Sequence, residues 1–228
     1  MPFEPKQLTR DDIETKAEEV LEAFGFSSFP VSVEEIAEFH FGYDLVFTDE
    51  GLYKDPSFLG GICFDNNEIY VNTSIESHEG RLSFTVAHEI GHHVLHRNDY
   101  LKYLNGEFPE ILCRDTSKRP LIEQQADQFA AALLMPRDYI KTLWGYGVIT
   151  DVYKAYSIAQ KFIKENSFDN VSTTAMVNRL IDLGYVSGVT YQSGSPKRSN
   201  RSSPLMAVKF KLFSLVRRIK LKISHRLN

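Results

Sequence analysis

Residues 84–96 read FTVAHEIGHHVLH, a stretch that packs four histidines and a glutamate among apolar neighbours. Phe84, Val86, Ala87, Ile90, Val94 and Leu95 make any helix formed here mostly buried. Two histidines and an ionised glutamate inside a core are costly unless something pairs with them, and a divalent metal ion would do so. On a helix, His88 and His92 lie one turn apart on the same face, with rings roughly 6 Å apart. Two imidazoles so placed can grip one tetrahedral zinc ion, which takes nitrogen ligands at about 2.0–2.1 Å. Glu89 points about 100° round the helix from His88, where it can lie beside a metal-activated water without binding the metal. This is the HExxH arrangement, in which the glutamate takes the proton from the water.

A third protein ligand is needed. His96 lies two turns from His88, roughly 12 Å along the axis, too far to share one ion. His93 points off the ligand face, so both are expected to make ordinary or outer-shell polar contacts. The longer HExxHxxGxxH pattern would need histidine at 98, where Asn98 stands. Downstream, EQQAD places Glu123 and Asp127 one turn apart, with the small Ala126 between them allowing a close helix approach. Glu123 would complete a His, His, Glu set, and Asp127 would orient a ligand histidine through its second ring nitrogen. Cys113, Asp115, Glu107 and Glu110 remain open as competitors for the third place.

The rest of the chain frames this segment. Residues 9–24 read as an amphipathic helix capped by Thr9 and stopped by Gly25, and Ser32 with Glu35 suggests a capping box for a second. YDLVFT reads as a strand, and GGICF and EIYVN, joined by DNN, read as a hairpin. EIYVNTS leads into the metal helix and is expected to present a free edge to which an extended substrate could add. Helices are predicted over 81–95 and from Pro120 to Pro136, with a long irregular loop over 97–119. Residues 158–184 read as helix, turn, helix, either a packing element or a DNA reader whose candidate recognition segment offers only Arg179 as a basic residue.

The 228 residues carry a net charge of −4, which hides a division. From Ser187 to Asn228 there are ten Lys or Arg and no Asp or Glu, leaving 16 basic against 30 acidic groups, net −14, in the first 186. An acidic body repels nucleic acid, so direct contact with a polyanion or an anionic membrane is expected only through the basic tail, 197–226. Two cysteines make no disulfide framework, and the opening MPFEPKQLTRDD has no apolar run of signal-peptide length, so the expected location is cytoplasmic.

FTVAHEIGHHVLH followed by EQQADQFAAALLMP resembles the ImmA/IrrE metallo-endopeptidases, whose HExGH helix is paired with an ExxA[ND]xFAxxLLMP helix. PVSVEEIAE, IYVNTS and VSTTAMVNRLIDLG extend the similarity over roughly residues 30–186. The resemblance implies one zinc ion on His88, His92 and Glu123, with Glu89 as general base. It further implies an α+β, zincin-like domain in which a small antiparallel or mixed sheet packs on helices including the HExxH helix. The expected organisation is a peptidase domain over 1–136, a helical region over 137–186 completing it, a flexible linker over 187–204 and a basic amphipathic or disordered tail over 205–228. The family's described members cleave helix-turn-helix repressors, so the expected partner is a DNA-binding repressor as protein substrate. The alternative is a regulator that grips such a repressor through its acidic body without proteolysis, with a metal that is only structural.

Overall fold

A computed structural model describes residues 6–48, 59–103, 111–113 and 121–188, without the side chains of 99–103 and 111–113. The first helix, α1 (Arg10–Phe24), begins at Thr9, whose hydroxyl accepts from the Asp12 N–H at 3.1 Å while Asp12 accepts from the Thr9 N–H at 2.9 Å. It ends at Gly25, in the left-handed region at φ 74°, where a side chain would be strained. Ile13, Ala17, Val20 and Leu21 form its buried stripe. A short second helix, α2 (Val33–Glu35), runs on as a π-helical turn over Ile36–His40. The capping box expected at Ser32 does not form. Ser32 takes ψ 86° rather than the more extended geometry seen at Thr9, and its side chain makes no capping hydrogen bond.

Four strands follow, β1 (Asp44–Thr48), β2 (Gly60–Cys63), β3 (Glu68–Asn72) and β4 (Ile111–Cys113), in the sheet order β1-β3-β2-β4. β2 and β3 form an antiparallel hairpin with Ile62 opposite Ile69. Its turn is closed by Asn67 at φ 52°, a conformation that asparagine tolerates better than most side chains. β1 joins the other side of β3 in parallel, Leu45 beside Ile69. EIYVN is therefore an interior strand, which corrects the expected free edge. Alternation of apolar residues reports which face is buried, and β3 does bury Ile69 and Val71. It carries no information about how many neighbours a strand has.

The helix after the sheet, α3 (Glu79–Tyr103), runs 25 residues, well past the expected end at 95. No glycine or proline interrupts RNDYLKY, and polar composition alone does not stop a helix. The expected loop also contains β4, which pairs with β2 through Ile62 and Leu112. That strand owes its existence to a partner some fifty residues away, which local sequence does not reveal. α4 (Leu121–Leu134) crosses α3 closely, and three further helices follow: α5 (Arg137–Leu143), α6 (Val152–Glu165) and α7 (Thr173–Asp182). The molecule is α+β, a small mixed sheet packed against helices, consistent with a zincin-like domain. No helix among the described residues is long and apolar enough to cross a membrane. Beyond residue 188, the expected linker and basic tail lie outside the described residues.

Arg179 decides between the two readings of α6 and α7. It is only 4% exposed and forks onto Glu14 of α1, with Nη2 donating to Oε2 at 2.8 Å and Nη1 donating to Oε1. Its Nε donates to the Met135 carbonyl at 2.9 Å. The one basic side chain that could have read DNA from α7 is thus spent tying three parts of the fold together.

Candidate metal centre

Helical geometry brings His88 and His92 to the same side of α3, with ring centroids 4.7 Å apart and planes at 77°. Their Nε2 atoms face each other at 3.0 Å. α4 supplies the third group because it lies against α3 at Gly91, where an added Cβ would come within 3.2 Å of the Ala126 Cα and 3.3 Å of its carbonyl oxygen. One turn before Ala126, Glu123 reaches both rings: Oε2 is 3.2 Å from His88 Nε2 and Oε1 is 3.2 Å from His92 Nε2. Among the described residues these three form a cluster that could hold a metal ion. The sequence competitors Asp115, Glu107 and Glu110, and the side chain of Cys113, lie outside the described part.

The donor set can be tested against an ion. Two ligands at tetrahedral angles around zinc with bonds of 2.0–2.1 Å stand about 3.3–3.4 Å apart. Here the two Nε2 atoms stand 3.0 Å apart, and each lies 3.2 Å from a different oxygen of the one Glu123 carboxylate, spacings close to what one such ion requires. All three residues are buried, as is Glu89. Gly60 of β2 runs beside that carboxylate. A Cβ there would stand 3.3 Å from Glu89 Oε1 and only 2.4 Å from the Thr85 methyl, so the strand can lie this close only without a side chain.

The electrostatics of the metal-free cluster are uneven. Burial alone would push His88 down, but hydrogen bonds to Asp127 and Glu123, with the charge of Glu89 nearby, raise its pKa to about 9. Burial dominates at His92 and lowers it to about 4, against a hydrogen bond to Glu123. Burial pushes Glu123 up, yet both histidines overcome this and hold it at about 2. Near neutral pH the cluster therefore holds a carboxylate, a neutral imidazole and an imidazolium whose proton lies among the donor atoms.

Each ring has a second contact behind it. The Asp127 carboxylate lies 2.9 Å from His88 Nδ1. His92 Nδ1 meets His96 Nδ1 at 3.1 Å, and His96 Nε2 meets the Gln125 side-chain oxygen at 2.9 Å. His93 turns away, its Nδ1 2.7 Å from the Tyr43 hydroxyl and its ring tilted on Phe41. Reading the sequence residue by residue missed Gly91, Gly60 and Gln125. The first two carry no side-chain chemistry, and Gln125 gains its role only from the helix crossing.

A family model described as Peptidase_M78, IrrE N-terminal-like domain, matches residues 40–179. The chain belongs to that family. Both motif helices fall within the matched region. Among curated proteins none matches. Among solved structures, a Mycobacterium tuberculosis transcriptional regulator is similar at 16% identity and a TM-score of 0.49, over 75% of this chain and 46% of that one. The chain thus spans less than half the length of that protein.

Proposed function

We propose that this M78-family protein is a zinc-dependent endopeptidase whose substrate is a helix-turn-helix repressor or a similar regulatory protein. The observation that carries the metallopeptidase reading is the buried cluster of His88, His92 and Glu123, with the two Nε2 atoms 3.0 Å apart and each 3.2 Å from one oxygen of the Glu123 carboxylate. Those three residues would hold one zinc ion, and Asp127 would keep His88 in the tautomer that presents Nε2. When bound, the metal supplies Lewis acidity toward water and the scissile carbonyl. Glu89, next to His88 but on another helix face, accepts the proton of the attacking water at its carboxylate. It then delivers that proton to the departing amine, so that the peptide bond is replaced by a carboxylate and an amine. Gly60, having no side chain, lets β2 pass close beside the Glu89 carboxylate.

The net charge of −14 over the first 186 residues supports a basic partner. A repressor's DNA-reading surface has that character, and the resemblance to repressor-cleaving peptidases points the same way.

The test is cleavage of candidate repressors by three proteins. Wild type should give discrete fragments that vanish with chelator. Glu89→Gln should keep its metal and lose cleavage, and Glu123→Ala should lose both. A zinc-replete Glu89→Gln protein as active as wild type would remove Glu89 from the mechanism. Tight binding of repressors by a zinc-loaded wild type that yields no fragments would favour a regulator that does not cut.

A further inference from the structure

His88 and His92 stand symmetrically at the cluster but are backed by different partners. Behind His88 is a carboxylate, which when ionised only accepts hydrogen bonds, so the proton on Nδ1 is fixed and Nε2 is left for the cluster. Behind His92 is another histidine, which can donate or accept. Nothing in that pair alone decides which of the two facing Nδ1 atoms carries the proton.

We propose that His96 is a positioning residue for His92, and that its tautomer is dictated through Gln125 by the backbone carbonyl of Lys6. This inference rests on reading His88, His92 and Glu123 as a metal centre. The Lys6 main-chain carbonyl is the one group in this network whose role is unambiguous. A main-chain carbonyl can only accept, so the Gln125 side-chain nitrogen, 2.9 Å from the Lys6 oxygen, must be the donor there. The Gln125 oxygen is then turned toward His96 Nε2 at 2.9 Å and accepts from it. With its proton on Nε2, neutral His96 offers a lone pair at Nδ1. His92 must therefore donate from its own Nδ1 across 3.1 Å, which leaves the His92 Nε2 lone pair facing His88 and Glu123.

The opposite polarity is penalised at each step. Were His96 to donate from Nδ1, its bare Nε2 would face the Gln125 oxygen lone pair to lone pair, and His92 would place a proton where a metal would sit. His92, His96 and Gln125 are 0%, 3% and 2% exposed, so water is poorly placed to relieve a mismatch. The relay also makes the segment before α1 part of the metal site's support, since Lys6 lies just ahead of Thr9, which caps that helix.

The experiment measures zinc affinity by chelator competition for wild type, His96→Leu, His96→Asn and Gln125→Leu, and reads the ring-nitrogen tautomers of zinc-loaded wild type by long-range nitrogen–proton NMR. Outer-shell partners of this kind change metal affinity by about 10–100-fold. His96→Leu should therefore weaken zinc by that range. His96→Asn, whose Oδ1 takes the place of the lost Nδ1 acceptor, should recover most of it. Gln125→Leu should also weaken zinc, although it touches no ligand. In zinc-loaded wild type, His96 should carry its proton on Nε2 and His92 on Nδ1. The tautomer measurement needs no variant, so the inference stays exposed even if His96→Leu does not fold. His96 protonated on Nδ1, or a folded His96→Leu with wild-type affinity, would overturn it while leaving the metal centre intact. A wild type that takes up no zinc would take down both.

Discussion

Replacing Gly91 with alanine tests the helix crossing on which the site depends. The new Cβ would stand 3.2 Å from Ala126 Cα, 3.2 Å from Phe129 Cδ1 and 3.3 Å from the Ala126 carbonyl oxygen. Carbon atoms settle at about 3.5–4.0 Å, so α4 must retreat by about 0.3–0.8 Å because two of the three contacts are its backbone. Glu123 rides on the same helix one turn away and has to follow. Metal–ligand distances tolerate only about ±0.2 Å, so zinc binding should weaken by roughly tenfold or more. Stability has two opposing contributions. Alanine gains about 1 kcal/mol over glycine within a helix, whereas overpacking a tight contact costs about 1–3 kcal/mol. The metal-free protein should then lie between unchanged and about 2 kcal/mol less stable, a fall in Tm of at most about 8 °C for a body of this size. Thermal melts in chelator, paired with zinc competition, separate the two effects. A Gly91→Ala protein that melts higher and binds zinc like wild type would refute the close crossing and the reason given for it.

Three further outcomes follow from the geometry. His88 holds its proton up to about pH 9, and zinc must displace that proton, so affinity should rise about tenfold per pH unit toward that value. His92, at about 4, and Glu123, at about 2, add no dependence near neutrality; an affinity flat between pH 6 and 8 would show that His88 is not charged in the metal-free protein. Arg179→Ala leaves the buried Glu14 carboxylate without its guanidinium and should cost about 3–5 kcal/mol in urea unfolding, whereas replacing both residues with methionine should cost much less. Equal losses in the two proteins would argue against an uncompensated charge. Gly60→Ala drives a methyl to 2.4 Å from the Thr85 Cγ2 beside Glu89, so it should lower peptide cleavage more than zinc affinity. Adding Thr85→Ser removes that Cγ2 and should restore much of the rate; failure of this second change to help would mean the clash is not the cause.

His88, Glu89 and His92 were legible from the chain alone because a helix has a fixed repeat, and residues four apart must share a face whatever surrounds them. The same local geometry made α1, the β2–β3 hairpin and α4 readable, since a capping threonine, a left-handed asparagine and an apolar stripe act over a few residues. Long-range partners were beyond its reach. β4 exists because the edge of β2 offers hydrogen bonds to a segment with little signal of its own, and β3 became interior when β1 returned beside it. Glu123 could be nominated by its residue type and by a resemblance. Its reach to both imidazoles depends on how near two helices pass, and Gly91 permits that approach by having no side chain. The relay from Lys6 to His92 lay furthest from view. Its members span residues 6 to 125, and hydrogen-bond polarity has meaning only once the atoms face one another. Periodicity along the backbone chose the chemical groups; packing between distant segments set the separations at which those groups can work together.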